Sequence, residues 1–258
     1  METNKTYNEN CLDTMARMPD NFIDLVVTSP PYDNLRDYKG YDLNLHEIGK
    51  QLFRVAKDGG LVCMVMQDQT INFGKTLTTF TTAIDFCGIG FKLFECCIYR
   101  KYGQEGGWWN KRFRIDHEYI LMFLKGDKPK YFNKESLKIP SKHAGATFRG
   151  GMTRLKNGTT LPASTIKIND MKCRGSIWEY MNGGDKNRIK RKHPATFPDR
   201  LAKDLILCFS AEGDLVYDPM AGSGTTGLMA SQNGRRWAMS EISAEYCNII
   251  AERQHLLI

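Results

Sequence analysis

A rigid loop follows the β-branched run Asp24–Thr28 and has the sequence Ser29-Pro30-Pro31-Tyr32. The prolines fix the backbone, so the Pro30 carbonyl points in one direction, and the Ser29 hydroxyl is a second acceptor beside it. Tyr32 offers a flat face on which an aromatic ring could stack. Two acceptors aimed at the N–H bonds of an aromatic amine would stabilise positive charge developing on its nitrogen. Taken alone, the loop is equally well explained as a rigid turn.

A glycine-rich loop near the other end of the sequence, residues 218–227, reads Asp-Pro-Met-Ala-Gly-Ser-Gly-Thr-Thr-Gly. A predicted strand, 215–218, precedes it and a predicted helix, 224–233, follows; open α/β sheets bind ligands at such strand ends. A phosphate-binding P-loop would need a lysine, and none lies between Asp218 and Gly234. The spacing Gly222-x-Gly224-x-x-Gly227 matches a dinucleotide-binding string, but that match alone is weak.

Two acidic residues around this loop favour a different ligand. An Asp218 carboxylate can hold an ammonium group, and Glu241, 17 residues after Gly224, can accept hydrogen bonds from both ribose hydroxyls. S-adenosylmethionine carries an ammonium group, a ribose and no phosphate, so we predict it as the cofactor, with a purely structural glycine turn as the alternative. The predicted contacts are Asp218, Ala221, Gly222, Ser223, Gly224, Thr225, Thr226 and Glu241.

The positive charge of the chain is concentrated in one segment. Residues 125–192 hold 17 Lys and Arg against five Asp and Glu, a balance of +12, whereas the remainder has a balance of −5. This asymmetry indicates a nucleic-acid contact region on an otherwise slightly acidic protein, and a solvated lysine-rich surface is the alternative. Arginine and lysine pair with guanine edges or with phosphates. The candidate DNA-binding residues are Lys142, Arg149, Arg154, Lys156, Lys172 and Arg174.

Outside that segment, apolar runs alternate with segments of helical periodicity, which predicts an α/β fold with a mostly parallel sheet. The strands are expected at 24–28, 61–66, 91–99, 119–124, 215–218 and 236–241. No apolar run approaches the length of a membrane span, and the sequence starts without a signal peptide, so we expect a cytoplasmic protein. The eight cysteines contain no Cys-x-x-Cys pair, and we predict no metal site.

The two loops, taken in this order, resemble the amino-directed DNA methyltransferases of restriction–modification or orphan type. The catalytic motif precedes the cofactor motif, as in the β group of that family. Asn10-Cys11-Leu12-Asp13 resembles the family's first motif, although Glu9-Asn10 stands where Gly-Asp is usual. His193-Pro194-Ala195-Thr196-Phe197-Pro198 resembles the segment that folds over the cofactor. The resemblance implies that Ser29, Pro30, Pro31 and Tyr32 are catalytic and that Asn10, Cys11 and Phe197 contact S-adenosylmethionine.

The same resemblance implies an architecture and a set of partners. The fold would be a Rossmann-like, circularly permuted, mixed seven-stranded sheet. Residues 1–130 would form the catalytic half, 131–190 an inserted target-recognition region and 191–258 the cofactor-binding half. Double-stranded DNA is the expected partner. A homodimer and a cognate restriction endonuclease are further possibilities that stay open. The protein is expected to act in a bacterial or phage-infected cell.

The residue before Pro-Pro-Tyr bears on the target base. Family members with serine there tend to make N4-methylcytosine, which favours that product, while N6-methyladenine stays the alternative. Cytosine-C5 methylation needs a Pro-Cys nucleophile, and the sequence has no Pro-Cys pair. A third hypothesis is an inactive DNA-binding protein of the same fold.

Overall fold

The computed structural model describes residues 1–31, 43–102, 113–181 and 198–255. The chain divides into two compact units. The larger comprises Met1–Asn133 and Ser176–Ile258, and the smaller comprises Lys134–Gly175. Of the predicted site residues, Tyr32 and Phe197 lie outside the described residues.

The described elements follow the alternation expected from the sequence. The helices are α1 (Cys11–Ala16), α2 (Leu45–Val55), α3 (Thr78–Ile89), α4 (Asp199–Phe209), α5 (Thr225–Gln232) and α6 (Ala244–His255). The strands are β1 (Lys5–Tyr7), β2 (Ile23–Thr28), β3 (Ala56–Met66), β4 (Thr70–Ile71), β5 (Gly74–Lys75), β6 (Lys92–Tyr102), β7 (His117–Leu124), β8 (Lys138–Pro140), β9 (Thr147–Arg149), β10 (Thr153–Arg154), β11 (Thr160–Leu161), β12 (Thr165–Lys167), β13 (Met171–Cys173), β14 (Ile177–Met181), β15 (Leu215–Asp218) and β16 (Arg236–Ser240).

The larger unit is built on one mixed sheet with the strand order β1-β16-β15-β2-β3-β7-β6-β14. Among the described strands of this sheet, only β7 runs antiparallel to its neighbours. The predicted α/β mixed sheet is confirmed, with eight described strands where seven were expected. Neither edge strand was predicted from the sequence. β1 has only three residues, and β14 lies in the basic, Gly- and Lys-rich part of the sequence and buries only alternate residues.

At the centre of the sheet, β2 from the N-terminal part of the sequence pairs with β15 from the C-terminal part. β2 and β15 are fully buried and pair in parallel, with Val216 opposite Leu25. At the start of β2, the buried Asp24 carboxylate accepts hydrogen bonds from the Lys57 ammonium at 2.7 Å and the Leu215 amide at 3.0 Å. These contacts fix the register of strands that are far apart in sequence. No helix in the described part of the chain is long and apolar enough to cross a membrane.

The smaller unit consists of three short antiparallel ladders nested one inside another. β8 pairs with β13, β9 with β12 and β10 with β11, which is the pattern of one long interrupted hairpin. Residues 134–175 contain nine Lys and Arg and two Asp and Glu, a balance of +7. The role of this unit in target recognition, and the predicted range 131–190, stay predictions.

Candidate active site

The two predicted loops begin next to each other at one edge of the sheet. β2 and β15 are adjacent parallel strands with Tyr217 opposite Val26, so the residues that follow both strands emerge at the same edge. The Thr226 hydroxyl, in the first turn of α5, donates to the Val27 carbonyl at 2.9 Å. This buried hydrogen bond ties the glycine-rich loop directly to the strand that carries Ser29.

Positive φ angles shape the glycine-rich loop. Gly222 has a φ of 52° and Gly224 a φ of 76°, a region where side chains are strained. A Cβ at Gly224 would also lie 2.9 Å from the Ile250 side chain. The Ala221 amide donates to the Ser240 carbonyl at 2.9 Å. The loop therefore turns tightly over the ends of β15 and β16, and glycine is required at 224 for both reasons.

Asp218 is a buried carboxylate at the end of β15. Its Oδ1 accepts a hydrogen bond from the Met220 amide at 3.0 Å. Burial raises the pKa of Asp218 to about 6, and the Thr28 hydroxyl and the Met220 amide only partly oppose that shift. A carboxylate whose charge is poorly compensated in this way is suited to receive a cation.

Glu241 follows β16 and faces the same loop. Its Oε2 accepts from the Gly222 amide at 2.8 Å and its Oε1 from the Ser243 amide at 2.9 Å. Burial raises the pKa of Glu241, and these amides oppose the rise. These bonds orient the side chain. Each carboxylate oxygen retains a lone pair, so Glu241 can still accept hydrogen bonds from hydroxyl groups.

Asn10 and Cys11 open helix α1 after strand β1. Asn10 is exposed, and its side chain caps the helix by accepting from the Leu12 amide at 2.9 Å. Cys11 is buried, and burial raises the pKa of its thiol to about 12, with the Asp218 carboxylate adding to the rise. Cys11 is thus a neutral thiol, and the predicted cofactor contacts of both residues stay predictions.

Ser29 has a defined hydrogen-bond role in the structure. Its hydroxyl donates to the Val65 carbonyl of β3 at 3.1 Å. With its proton committed to that carbonyl, the hydroxyl oxygen is left as an acceptor. Pro30 is buried and Pro31 half-buried, which keeps this short segment against the sheet.

Sequence reasoning missed a buried arginine beneath the glycine-rich loop. Arg253 of α6 is 2% exposed, and its Nη1 donates to the Ser223 carbonyl at 2.5 Å and to the Thr225 hydroxyl at 3.2 Å. Its Nη2 donates to the Asp199 carboxylate at 3.1 Å. Arg253 therefore fastens the loop to α4 and α6. One arginine in a helical segment gives no sequence signal for this role.

The predicted DNA-binding residues all lie in the smaller unit. Lys142, Arg149, Arg154, Lys156 and Lys172 are exposed, and Arg174 is half-buried. Arg149, Arg154 and Lys172 lie on the short strands, and Lys156 follows β10 at the tip of the hairpin. An exposed two-stranded ribbon of this kind has dimensions that fit a DNA major groove.

Comparison with known proteins identifies the family. The model of the DNA methylase family that covers N6- and N4-directed enzymes matches residues 23–252. The orphan methyltransferase M.BamHII of Bacillus amyloliquefaciens is 40% identical over 235 residues, which cover 90% of this chain and 88% of that protein.

Solved structures support the same fold. The cytosine-N4-specific PvuII DNA methyltransferase has a TM-score of 0.75 and 22% identity, covering 98% of this chain and 86% of its own. The candidate DNA modification methylase TTHA0409 of Thermus thermophilus, in complex with S-adenosyl-L-methionine, has a TM-score of 0.66 and 24% identity, covering 96% and 92% of the two chains. The resemblance predicted from the two loops is confirmed: this chain belongs to the N6/N4 DNA methylase family.

Proposed function

We propose that this chain transfers a methyl group from S-adenosylmethionine to the exocyclic amine of a base in double-stranded DNA, with N4 of cytosine as the preferred target. The observation that carries the proposal is the juxtaposition of Ser29 and Asp218. Ser29 directly follows β2, Asp218 is the last residue of the adjacent parallel strand β15, and the Thr226–Val27 hydrogen bond links their loops. A cofactor held by one loop and an amine held by the other would meet at this edge.

The residues around the glycine-rich loop fit S-adenosylmethionine. The buried Asp218, whose pKa is raised to about 6, would gain a compensating charge from the ammonium group. Glu241, oriented by the Gly222 and Ser243 amides, would accept from the ribose hydroxyls. When bound, the cofactor supplies an electrophilic methyl group on a sulfonium. The solved complex of TTHA0409 with this cofactor adds support from a related fold.

Ser29 and the Pro30 carbonyl would hold the target amine. The lone pair of an exocyclic amine is delocalised into the base, which makes the nitrogen a weak nucleophile. Because the Ser29 hydroxyl donates to Val65, its oxygen presents only lone pairs to the two amine hydrogens. Hydrogen bonds to Ser29 and Pro30 favour a tetrahedral nitrogen and stabilise the positive charge that it carries until it loses a proton.

Access to the amine requires that the base leave the DNA stack. Tyr32, which lies outside the described residues, is proposed to stack on the extruded base, as the family resemblance implies. The exposed basic residues of the smaller unit are proposed to contact phosphates and base edges.

The choice of base separates the two candidate products. Ser29 and the cytosine-N4 specificity of the PvuII neighbour support N4-methylcytosine. The family includes adenine-N6 enzymes as well, so N6-methyladenine is the second candidate. We still predict a cytoplasmic location, and a homodimer and a cognate endonuclease stay predictions. M.BamHII is an orphan methyltransferase, which supports action without an endonuclease.

Transfer of radiolabelled methyl from S-adenosylmethionine to unmethylated genomic DNA tests the activity directly. We expect transfer by the wild-type protein and by the control variant Asp214→Asn. Asp214 directly precedes β15, at the other end of that strand from Asp218. We expect loss in Asp218→Asn. Intact cofactor binding without transfer to any DNA would instead support an inactive DNA-binding protein. Single-molecule sequencing of DNA from cells expressing the gene then distinguishes N4-methylcytosine from N6-methyladenine and reports the recognition sequence.

A further inference from the structure

A short hairpin beyond β3 presents an aromatic side chain at its tip. β4 and β5 pair with Thr70 opposite Lys75, and the two tip residues, Asn72 and Phe73, have φ angles of 48° and 64°. A phenylalanine in this left-handed region is unusual and costs conformational energy. The Phe73 residue is nevertheless 65% exposed, so burial of its ring in the described fold does not explain the strain.

The base of this hairpin is firmly attached. The buried Asp68 carboxylate accepts from the Thr79 amide at 2.8 Å, and the Thr76 amide donates to the Gln69 carbonyl at 3.2 Å. The Lys75 ammonium donates to the Asp68 carbonyl at 3.3 Å. The tip is therefore held in place by contacts at its base.

The hairpin forms one wall of a cleft of about 810 Å³, which we call the aromatic cleft. Its lining includes three phenylalanines and three basic residues: Phe73, Phe80, Phe113, Lys75, Arg114 and His117. Phe113 is 99% exposed.

The charges in the aromatic cleft favour an anionic ligand. Asp68 is the acidic residue in its lining, and that carboxylate is buried and bonded to the Thr79 amide. His117 also lies near Asp116, with 3.6 Å between Nδ1 and a carboxylate oxygen, but Asp116 is not part of the lining. Phe73, Phe80 and Phe113 are all exposed, and basic groups beside exposed aromatic rings are the combination that binds unpaired nucleotides by stacking and phosphate contact.

The aromatic cleft adjoins the Ser29 loop through β3. Val65, which accepts the Ser29 hydroxyl, is followed after one residue by Gln67 and Asp68, both in the cleft lining. The Gln67 side chain donates to the His117 carbonyl at 2.9 Å, which ties the end of β3 to the start of β7. A DNA strand whose target base reaches Ser29 would bring its neighbouring nucleotides close to this cleft.

We propose that the aromatic cleft binds an unpaired nucleotide of the DNA strand next to the target base, with Phe73 stacking on that base and Lys75 contacting a phosphate. The inference rests on the proposed function for DNA as the ligand. It assigns a DNA contact to the larger unit, in addition to the contacts predicted for the basic hairpin of the smaller unit.

Fluorescence anisotropy with a labelled (dT)20 strand and a labelled 30-base-pair duplex tests the proposal without knowledge of the recognition sequence, because stacking tolerates any base. We expect Phe73→Ala to weaken (dT)20 binding by about 5- to 150-fold and duplex binding less. Phe73→Leu should behave like Phe73→Ala, and Phe73→Trp should retain affinity. Lys75→Gln should lower the salt dependence of (dT)20 binding by about 0.7 in log–log slope.

Ile84→Ala is the matched control, because Ile84 on α3 is an exposed apolar residue (74%) outside the cleft lining. It should leave binding unchanged, and thermal melting should show that all variants are folded. Folded Phe73→Ala that binds (dT)20 as tightly as the wild type would overturn the proposal, even if methyl transfer to DNA is observed. Conversely, wild-type protein that binds (dT)20 through Phe73 but transfers no methyl group would refute the proposed function alone.

Discussion

Asp218 allows a quantitative test of how the cofactor is held. Its pKa is about 6 in the protein without cofactor, against an ordinary value of 3.8, chiefly because the carboxylate is buried. If the ammonium group of S-adenosylmethionine binds only the ionised form, the affinity should be nearly constant above pH 7. At pH 5 about one-tenth of the carboxyl groups are ionised, so we expect roughly tenfold weaker binding.

Isothermal titration calorimetry from pH 5 to pH 8 measures this dependence in the wild type and in Asp218→Asn. The variant should bind S-adenosylmethionine weakly at every pH. Any pH dependence that it retains belongs to other groups, of which Glu241, with its own raised pKa, is the nearest candidate. Equal wild-type affinity at pH 5 and pH 8, or wild-type affinity in Asp218→Asn at pH 8, would refute the reasoning.

The same pKa predicts a cost in stability for the protein without cofactor. Below pH 3.8 the carboxyl is protonated in both the folded and the unfolded state, so it imposes no penalty. Between pH 3.8 and pH 6 the carboxyl ionises in the unfolded chain but stays protonated in the folded protein, so the free energy of unfolding falls, by about 3 kcal/mol in all, and it no longer changes above pH 6. An asparagine can still accept from the Met220 amide. Urea unfolding should therefore show Asp218→Asn to be more stable than the wild type at pH 8 and nearly equal to it at pH 4.

Three further substitutions test the other parts of the site. Ser29→Ala removes one acceptor for the amine, and we expect turnover to fall by about 100-fold or more with unchanged calorimetric affinity for the cofactor; near-normal turnover would contradict the acceptor role. Tyr32→Ala should likewise reduce turnover far more than cofactor affinity, and the reverse pattern in the same two assays would contradict a stacking role. Arg253→Met removes the hydrogen bonds that Arg253 donates to the Asp199 carboxylate and the Ser223 carbonyl, so we expect a loss of about 3 to 5 kcal/mol in urea unfolding and weaker cofactor binding. A stable variant with normal affinity would show that the loop does not depend on Arg253.

Local sequence patterns predicted the elements that carry the two loops. The strand 215–218 was predicted with its observed bounds, and 24–28 lacked only Ile23. Both are short continuous apolar runs that end at Pro or Asp-Pro, so the sequence marks where each strand stops. The proximity of the loops followed from a general rule, because parallel strands present their carboxyl ends at one edge.

Other features depend on contacts between distant residues and have weak local signals. β1 has three residues, too few for a periodicity, and is a strand because it pairs with β16. A Gly-Gly pair is typical of a helix end, yet α2 ends at Val55 and Gly59 and Gly60 lie within β3, near a shift in its register with β2. The turn of the β4–β5 hairpin, Asn72-Phe73, could not be predicted from the sequence, because Asn-Phe is not a usual turn sequence.

The order of the strands also has a consequence for biosynthesis. β2 is made early in translation, yet its neighbour on one side, β15, comes almost 190 residues later, and β1 likewise waits for β16. Until then, one edge of β2 has no partner in the sheet, and such contacts between distant segments form slowly. The nascent chain therefore cannot assemble the junction between its two loops before residue 226 has left the ribosome. Synthesis of an incomplete chain should yield no partly active methylase, only a sheet with an open and aggregation-prone edge.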